Sequence, residues 1–469
     1  MTSQPTTPAP PFTFGTAPGA LPVLGHSRQL VKDPFAFMKS LPALGDLVEI
    51  RLGPQRAFVP CHPELLRQVL ADDHTFDRGG PLYDKMREFM GNGLATCPHA
   101  LHRRQRRMIQ PVFQPERLER YAAIMESELP ALLRTWSDGH VIDAFPEFYR
   151  YTQRVVARAL FEANVDQATV DVLQRCFTVA FANIFARIMA PPVLQKLPTP
   201  GNRRFRKAIT DLDTTFEGIL RDYRRTDSDR DDLLSLLLTA QDEEGAGASP
   251  TEVRDQVVSL LMGGAETVAA TLAWACWLLA RHPEVLRRLY AEADAVLDGR
   301  PARWSDLPDL RYTERVVTEV LRMYPAGWLL TRTTTRETEL AGRRLPVGST
   351  VLFSSYILHH RPDIFTEPET FDPDRWLPER AATLPRGGFA AFGHGPHKCI
   401  GDAFGMTESI LTLATIAARW TWEVAPGADM RPAPMAAVLN PRHLPLRLKE
   451  RHPAAPAHER PATSRETSR

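Results

Sequence analysis

Cysteine is scarce and shows no paired spacing: Cys61, Cys97, Cys176, Cys276 and Cys399 are spread over 469 residues. An odd, dispersed set excludes a disulfide framework as the organising device. Long apolar runs are missing too. The longest, Leu272 to Ala280, is about half of the ~18 residues that suggest a membrane span. The N-terminus, from Met1 to about Gly25, is rich in Pro, Thr and Ala and lacks a basic segment followed by an apolar one. That predicts neither a signal peptide nor a membrane anchor. Charge of one sign is also lacking. With 57 basic and 56 acidic residues, a net charge of +1 gives no global field for nucleic acid or an anionic membrane. The expectation is a cytoplasmic protein that meets any charged partner through a local patch.

What is present suits a large globular chain, 43% apolar and 24% charged. Residues 1–20 read as a flexible leader, 21–450 as one catalytic domain, and 451–469 as a disordered tail of Pro, Ala, Arg and Ser. Leu47 to Leu52 and Arg56 to Val59 have strand character. Pro115 to Trp136 and Thr152 to Phe185 carry helical periodicity. The fold class is therefore mainly α with a minor β region. Its clearest element starts at Ser249-Pro250-Thr251-Glu252, where Ser and Glu have capping-box spacing and Pro takes the first helical position. It runs to about Arg281, a length of about 48 Å. Apolar residues surround it, so it should cross the middle of the fold.

Four constellations carry chemistry. In Phe392-Gly393-His394-Gly395-Pro396-His397-Lys398-Cys399-Ile400-Gly401, glycines flank one cysteine and a helical pattern follows. The helix N-terminus aims its amides at the sulfur, which favours a thiolate. With no second Cys and no clustered His nearby, a single axial metal position suits it better than tetrahedral zinc. In the central helix, Gly263-Gly264-Ala265-Glu266-Thr267 sets two poor helix formers beside an acid and a hydroxyl, either as a packing notch or as room for a small ligand. Glu319 and Arg322 share a helix face, with Arg375 further on in Phe371-Asp372-Pro373-Asp374-Arg375-Trp376. Leu101 to Arg107 is strongly basic, either a solvated face or a nucleic-acid patch. His102 and Arg106 in it point the same way.

Together, in this order, these motifs resemble the cytochrome P450 family, from about Leu21 to Leu448. His397 stands where Arg is more common in the haem signature. The resemblance implies a single helix-rich domain with the long central helix over a haem b (iron protoporphyrin IX), with Cys399 as iron ligand. Phe392, His397 and Gly401 belong to the same signature. His102, Arg106, Arg332 and His397 take the propionate-binding positions. Glu266 and Thr267 take the positions that handle dioxygen and protons, although Val268 stands where a second hydroxyl is frequent. Glu319, Arg322 and Arg375 would be a structural triad. The implied reaction uses O2 as co-substrate to hydroxylate an unactivated C–H bond. Electrons would come from NAD(P)H through a separate ferredoxin or flavodoxin docking on Arg103, Arg104, Arg107 and Lys398.

The segments expected to cover the substrate are apolar and contain Tyr83, Met86, Phe89, Met90, Leu261, Ala265, Trp328, Leu329 and Val438. These residues either line a pocket or are plain core. Leu101 to Pro111, Asn202-Arg203-Arg204-Phe205 and Pro325 to Arg332 are similar to bacterial members that oxidise cyclic terpenes, above all sesquiterpenes. Another hydrophobic substrate, such as a macrolide, fatty acid or steroid, or a haem-binding sensor without turnover, are the alternatives. Asp231-Asp232 does not complete a magnesium motif, because Leu233-Leu234-Ser235 follows. It reads as a helix N-terminus.

Overall fold

The capping box at Ser249 sets the longest element. Ser249 Oγ accepts from the Glu252 N–H at 3.2 Å, and a Glu252 carboxylate oxygen accepts from the Ser249 N–H at 2.9 Å. The helix Pro250–Arg281 follows in the computed structural model, which describes residues 12–161, 166–189, 192–225, 233–239, 245, 247–432 and 438–451. Ala144–Phe161, Arg311–Met323 and Asp402–Arg419 pack around this helix. Being covered on several sides, it can be apolar on all of them. Among the described residues it is the one helix long and apolar enough to cross a membrane, yet 67% of that stretch is buried in the protein.

The β structure is confined to the margins. Six short strands lie in the order Phe14–Thr16, Leu47–Leu52, Gln55–Pro60, Thr350–Phe353, Leu330–Thr334, Phe76–Asp77. The segments with expected strand character, Leu47 to Leu52 and Arg56 to Val59, fall in the strands Leu47–Leu52 and Gln55–Pro60, an antiparallel hairpin with Leu52 opposite Gln55. A second sheet joins Val141–Asp143, Pro445–Glu450 and Trp420–Val424.

Two expectations need correction. Phe14–Thr16 runs parallel to Leu47–Glu49, and Ala17 is buried, so the segment read as a flexible leader is a sheet edge from Phe14 onward. The reason is local: Asp46 accepts from the Thr13 N–H at 2.9 Å and from its hydroxyl at 2.8 Å. Residues 1–11 and 452–469, the remainder of the expected leader and tail, lie outside the described residues, as does Asp231-Asp232. The helical stretch expected from Thr152 to Phe185 is two helices, Ala144–Phe161 and Gln167–Met189. Asp166 caps the second, accepting from the Thr169 N–H at 2.8 Å. Such a cap is easily overlooked where one apolar period runs into the next.

Glu319, Arg322 and Arg375 come together in the core. Arg322 grips Glu319 with two bonds of 2.8 Å, both side chains being fully buried. Arg375 Nε donates to the same carboxylate at 3.3 Å, the Trp376 indole N–H at 2.9 Å and the Asp372 N–H at 3.1 Å. The guanidinium donors left over bond the carbonyls of His359, Pro368, Thr370, Thr366 and Glu367. The surface-pair alternative is thereby excluded. A residue the sequence did not flag extends the network: His359 Nδ1 lies 2.8 Å from the Arg322 carbonyl, and its Nε2 accepts from the Ala390 N–H at 2.9 Å. The ion network is thus joined to the segment that leads into the cysteine loop. Removing the carboxylate leaves two buried guanidinium charges uncompensated, a class of change that costs about 3–5 kcal/mol. Glu319→Ala should lower the denaturant midpoint accordingly and lose haem during purification. A variant of wild-type stability and haem content would contradict the role given to the network.

Candidate active site

The cysteine loop is shaped by glycine at two positions of left-handed backbone. Gly393 has φ +70° and Gly395 φ +69°. A Cβ at Gly395 would come within 2.3 Å of the Leu70 carbonyl oxygen, so a side chain is excluded by contact as well as by conformation. The Cys399 N–H donates to the Phe392 carbonyl at 2.8 Å, closing the loop. Gly401 then caps the helix Asp402–Arg419. The exposure of Cys399 is toward an internal cavity of about 390 Å³, whose wall it shares with Phe392, His397 and Gly401.

Its electrostatics differ from the sequence expectation. Burial pushes the Cys399 thiol up, outweighing the Gly401 amide and the Arg106 and Lys398 charges that pull it down. A metal cation at the sulfur would supply the missing stabilisation, because a coordinating thiol gives up its proton outright.

The central helix lines the same cavity with Leu260, Gly263, Gly264, Thr267, Val268 and Thr271, a stripe at 3, 4, 7, 8 and 11 positions. The two glycines differ in purpose. A Cβ at Gly263 would meet nothing within 4 Å, whereas one at Gly264 would lie 2.7 Å from Val156. Gly263 opens space in the cavity and Gly264 lets two helices approach, so both readings of the pair hold, one for each residue. Thr267 Oγ1 donates to the Gly263 carbonyl at 2.6 Å. Glu266 is not on the stripe. Its charge is felt by Tyr149, on the helix Ala144–Phe161, and burial pushes its carboxyl up to about 7.

Basic groups gather along one rim. His102, Arg106, Arg332 and His397 all line the cavity, and so does Arg78, which the sequence did not single out. The His102 and His397 rings lie 3.8 Å apart. Burial first, then Arg78, pushes His102 down to about 3, and His397 goes down for the same reasons. Arg106 also donates one N–H to the Lys398 carbonyl at 2.7 Å. His102 Nε2, both His397 ring nitrogens, Arg332 Nε and Arg78 Nε are buried without a hydrogen-bond partner. Buried donors facing an apolar chamber without partners are costly. The two carboxylates of a haem would accept from the Arg78 and Arg332 N–H groups and from one N–H of each imidazole, and the chamber, the lone sulfur and this rim together fit that group.

The expected substrate-facing residues divide. Tyr83 and Met86 line the cavity. Phe89, Met90, Leu261 and Ala265 are packed into the main core instead, and Trp328 and Leu329 join a second cluster with Phe37 and Tyr356. Val438 is half-buried and absent from the wall. The reason is periodicity. Leu261 and Ala265 lie off the stripe that contains Thr267, and the Ala265 carbonyl is taken by the Thr152 hydroxyl at 2.8 Å. In the strand Leu330–Thr334, alternation turns Leu330 and Arg332 to the cavity. The wall is completed by Leu94, Val156, Ala159, Leu160, Leu233 and Met262, among others. Sequence reasoning could have found the central-helix members by counting from Thr267.

The basic stretch is the helix His99–Ile109. Arg103, Arg107 and Lys398 are exposed; Lys398 pairs with Asp402 at 2.6 Å and Arg104 with Glu252. The patch expected from four cations is weaker than their number implies.

Comparison with known proteins agrees with this geometry. The family model for Cytochrome P450 matches residues 16–447. Pentalenene oxygenase of Streptomyces avermitilis is 49% identical, over 94% of this chain and 98% of that protein. Cyclooctat-9-en-7-ol 5-monooxygenase of Streptomyces melanosporofaciens is 46% identical, over 90% and 92%. The crystal structure of the cytochrome P450DA heme domain superposes with a TM-score of 0.85, covering 94% of this chain and 99% of that one at 24% identity. The chain belongs to the cytochrome P450 family and is a haem-dependent monooxygenase that draws electrons from redox partners.

Proposed function

We propose that this monooxygenase hydroxylates an unactivated C–H bond of a cyclic terpene, a sesquiterpene first of all, in secondary metabolism. The observation that carries the reading is a single chamber in which Cys399, Thr267 and an apolar wall meet. The names of the two relatives, both oxygenases of terpenoid compounds, support the substrate class. Away from the cationic rim, Leu94, Val156, Leu160, Leu260 and Met262 provide area for a hydrocarbon.

Haem supplies the radical oxygenation chemistry, and a thiolate ligand favours O–O cleavage. Cys399 provides that ligand, and the frame of Phe392 and Gly401 holds it. His102, Arg106, Arg332 and His397 take the propionates, and Arg106 also ties the basic helix to the loop at Lys398. Thr267 keeps its hydroxyl proton on the Gly263 carbonyl and can swing it into the chamber. Glu266, with a carboxyl near neutrality, exchanges protons with water and passes them toward Thr267. The apolar wall excludes bulk water.

The electron donor in this reading is a separate ferredoxin or flavodoxin, steered by Arg103 and Arg107. Cytoplasmic residence accords with five free cysteines, four of them buried.

Two outcomes are expected of turnover. Sesquiterpene hydrocarbons should shift the haem spin state and give a hydroxylated product with a surrogate ferredoxin system; a response confined to macrolides or fatty acids would redirect the assignment. Thr267→Ala should keep its haem and divert reducing equivalents to peroxide, and wild-type coupling in that variant would refute the role of the hydroxyl.

The sign of the Glu266 effect is also fixed. Its folded pKa lies above the ordinary carboxyl value of 4.5. The unfolded chain therefore ionises first as pH rises, and the wild type loses stability between about pH 4.5 and 7. Glu266→Gln should match the wild type near pH 4.5 and exceed it by roughly 1–3 kcal/mol above pH 7, read by denaturant unfolding. An advantage that does not change with pH would contradict the buried acid.

For the donor, Arg103→Glu/Arg107→Glu should slow reduction by about tenfold at low salt, and the difference should shrink as salt rises. Equal reduction rates at low salt would remove the docking face.

A further inference from the structure

We propose that Asp73, His74 and His99 form a binding site for a divalent transition metal ion, zinc above all, on the solvent side of the cationic rim. The three residues come from two parts of the chain. Asp73 and His74 follow the helix Pro63–Ala71, and His99 opens the basic helix His99–Ile109. The His74 and His99 rings lie 3.7 Å apart, tilted by 49°. Asp73 Oδ2 is 3.0 Å from His99 Nδ1. One ligand atom from each residue lies within 4.8 Å of the other two, so small rotamer adjustments bring all three onto one ion.

The donor set selects the metal class. Two imidazoles and one carboxylate suit zinc, with a water in the fourth position. They do not suit magnesium or calcium, which take oxygen ligands. Asp73 is buried and His74 exposed, leaving one side open for entry and for that water. His99 Nδ1 is buried and has no aligned hydrogen bond despite the nearby carboxylate, so its ring nitrogen is not committed to Asp73.

The backbone around the three residues is held without a metal. The Thr335 hydroxyl donates to the His74 carbonyl at 2.5 Å, and the Thr335 N–H to the Thr75 carbonyl at 2.9 Å. The Asp72 carboxylate accepts from the Thr75 N–H at 3.0 Å, and Asp77 accepts from the His99 N–H at 2.8 Å. Such fixed supports are what an ion site needs from its surroundings.

Asp73 also lies 3.4 Å from His397 Nε2, so the site shares a residue with the cofactor rim. Arg78 and Arg332, whose charges act on His102 and His397, oppose a further cation nearby. The propionates of bound haem offset them, which makes the haem-loaded enzyme the form to test. Only this choice of form depends on the haem reading; terpene turnover has no part in the test.

The experiment is calorimetric titration of zinc chloride into untagged holoenzyme, with the Soret spectrum recorded in parallel. One zinc per chain should bind, magnesium should not, and the haem content should stay constant. His74→Ala and His99→Ala should each weaken zinc binding at least about tenfold. His74 is exposed, so its removal leaves the fold and the cofactor rim intact. No saturable uptake, equal uptake of magnesium, or undiminished zinc affinity in the His74→Ala/His99→Ala double variant would each overturn the site.

Discussion

The arrangement depends on one sulfur being held at the wall of an apolar chamber by a loop that cannot relax. Two glycines with positive φ and the Cys399–Phe392 bond bend the loop, but bending alone would leave it free to move as a unit. The anchor lies behind it. Glu319 holds Arg322 and Arg375, Arg322 meets His359, and His359 meets Ala390, a few residues before the loop. A buried ion network of this kind adds little net stability but penalises every arrangement that leaves one charge unpaired. Its contribution is a unique geometry around the sulfur.

A second constraint explains how a nearly neutral chain builds a strongly basic interior surface. The net charge is +1, yet Arg78, His102, Arg106, Arg332 and His397 converge on one rim. Several of their nitrogens lack partners, while Arg322 and Arg375 are surrounded by acceptors. Arg322 and Arg375 spend their donors on the fold, whereas the rim residues keep nitrogens available on the cavity wall. Burial acts in opposite directions on the two chemistries nearby. It keeps the rim histidines neutral and the Glu266 carboxyl near its midpoint.

Legibility in the sequence followed the range of each interaction. The Ser249–Glu252 capping box, the glycine frame of Cys399, and Glu319 with Arg322 are local patterns, and each was readable. Arg375 was found because it sits in a recognisable run. His359, Arg78 and the Asp73–His99 contact had no such signal: each is an ordinary residue whose partner is brought near by the fold, and the apparent lack of clustered histidines was a property of the linear sequence alone. The substrate-facing residues failed for another reason. Core and cavity faces of one apolar helix differ only in phase. Leu261 and Ala265 were chosen where Leu260, Gly263 and Gly264 face the chamber. Arg104 illustrates a third case, a cation that reads as surface charge until Glu252 is seen beside it.

The central claim is that the Cys399 sulfur is the iron ligand. The most direct measurement is the absorption spectrum of the reduced carbonyl complex in the wild type and in Cys399→His. The account predicts a red-shifted, thiolate-type Soret band in the wild type that is replaced by an imidazole-type band in the variant, with haem still retained along the cationic rim. A thiolate-type band that persists after the cysteine is replaced, or its absence from the wild type, would contradict it.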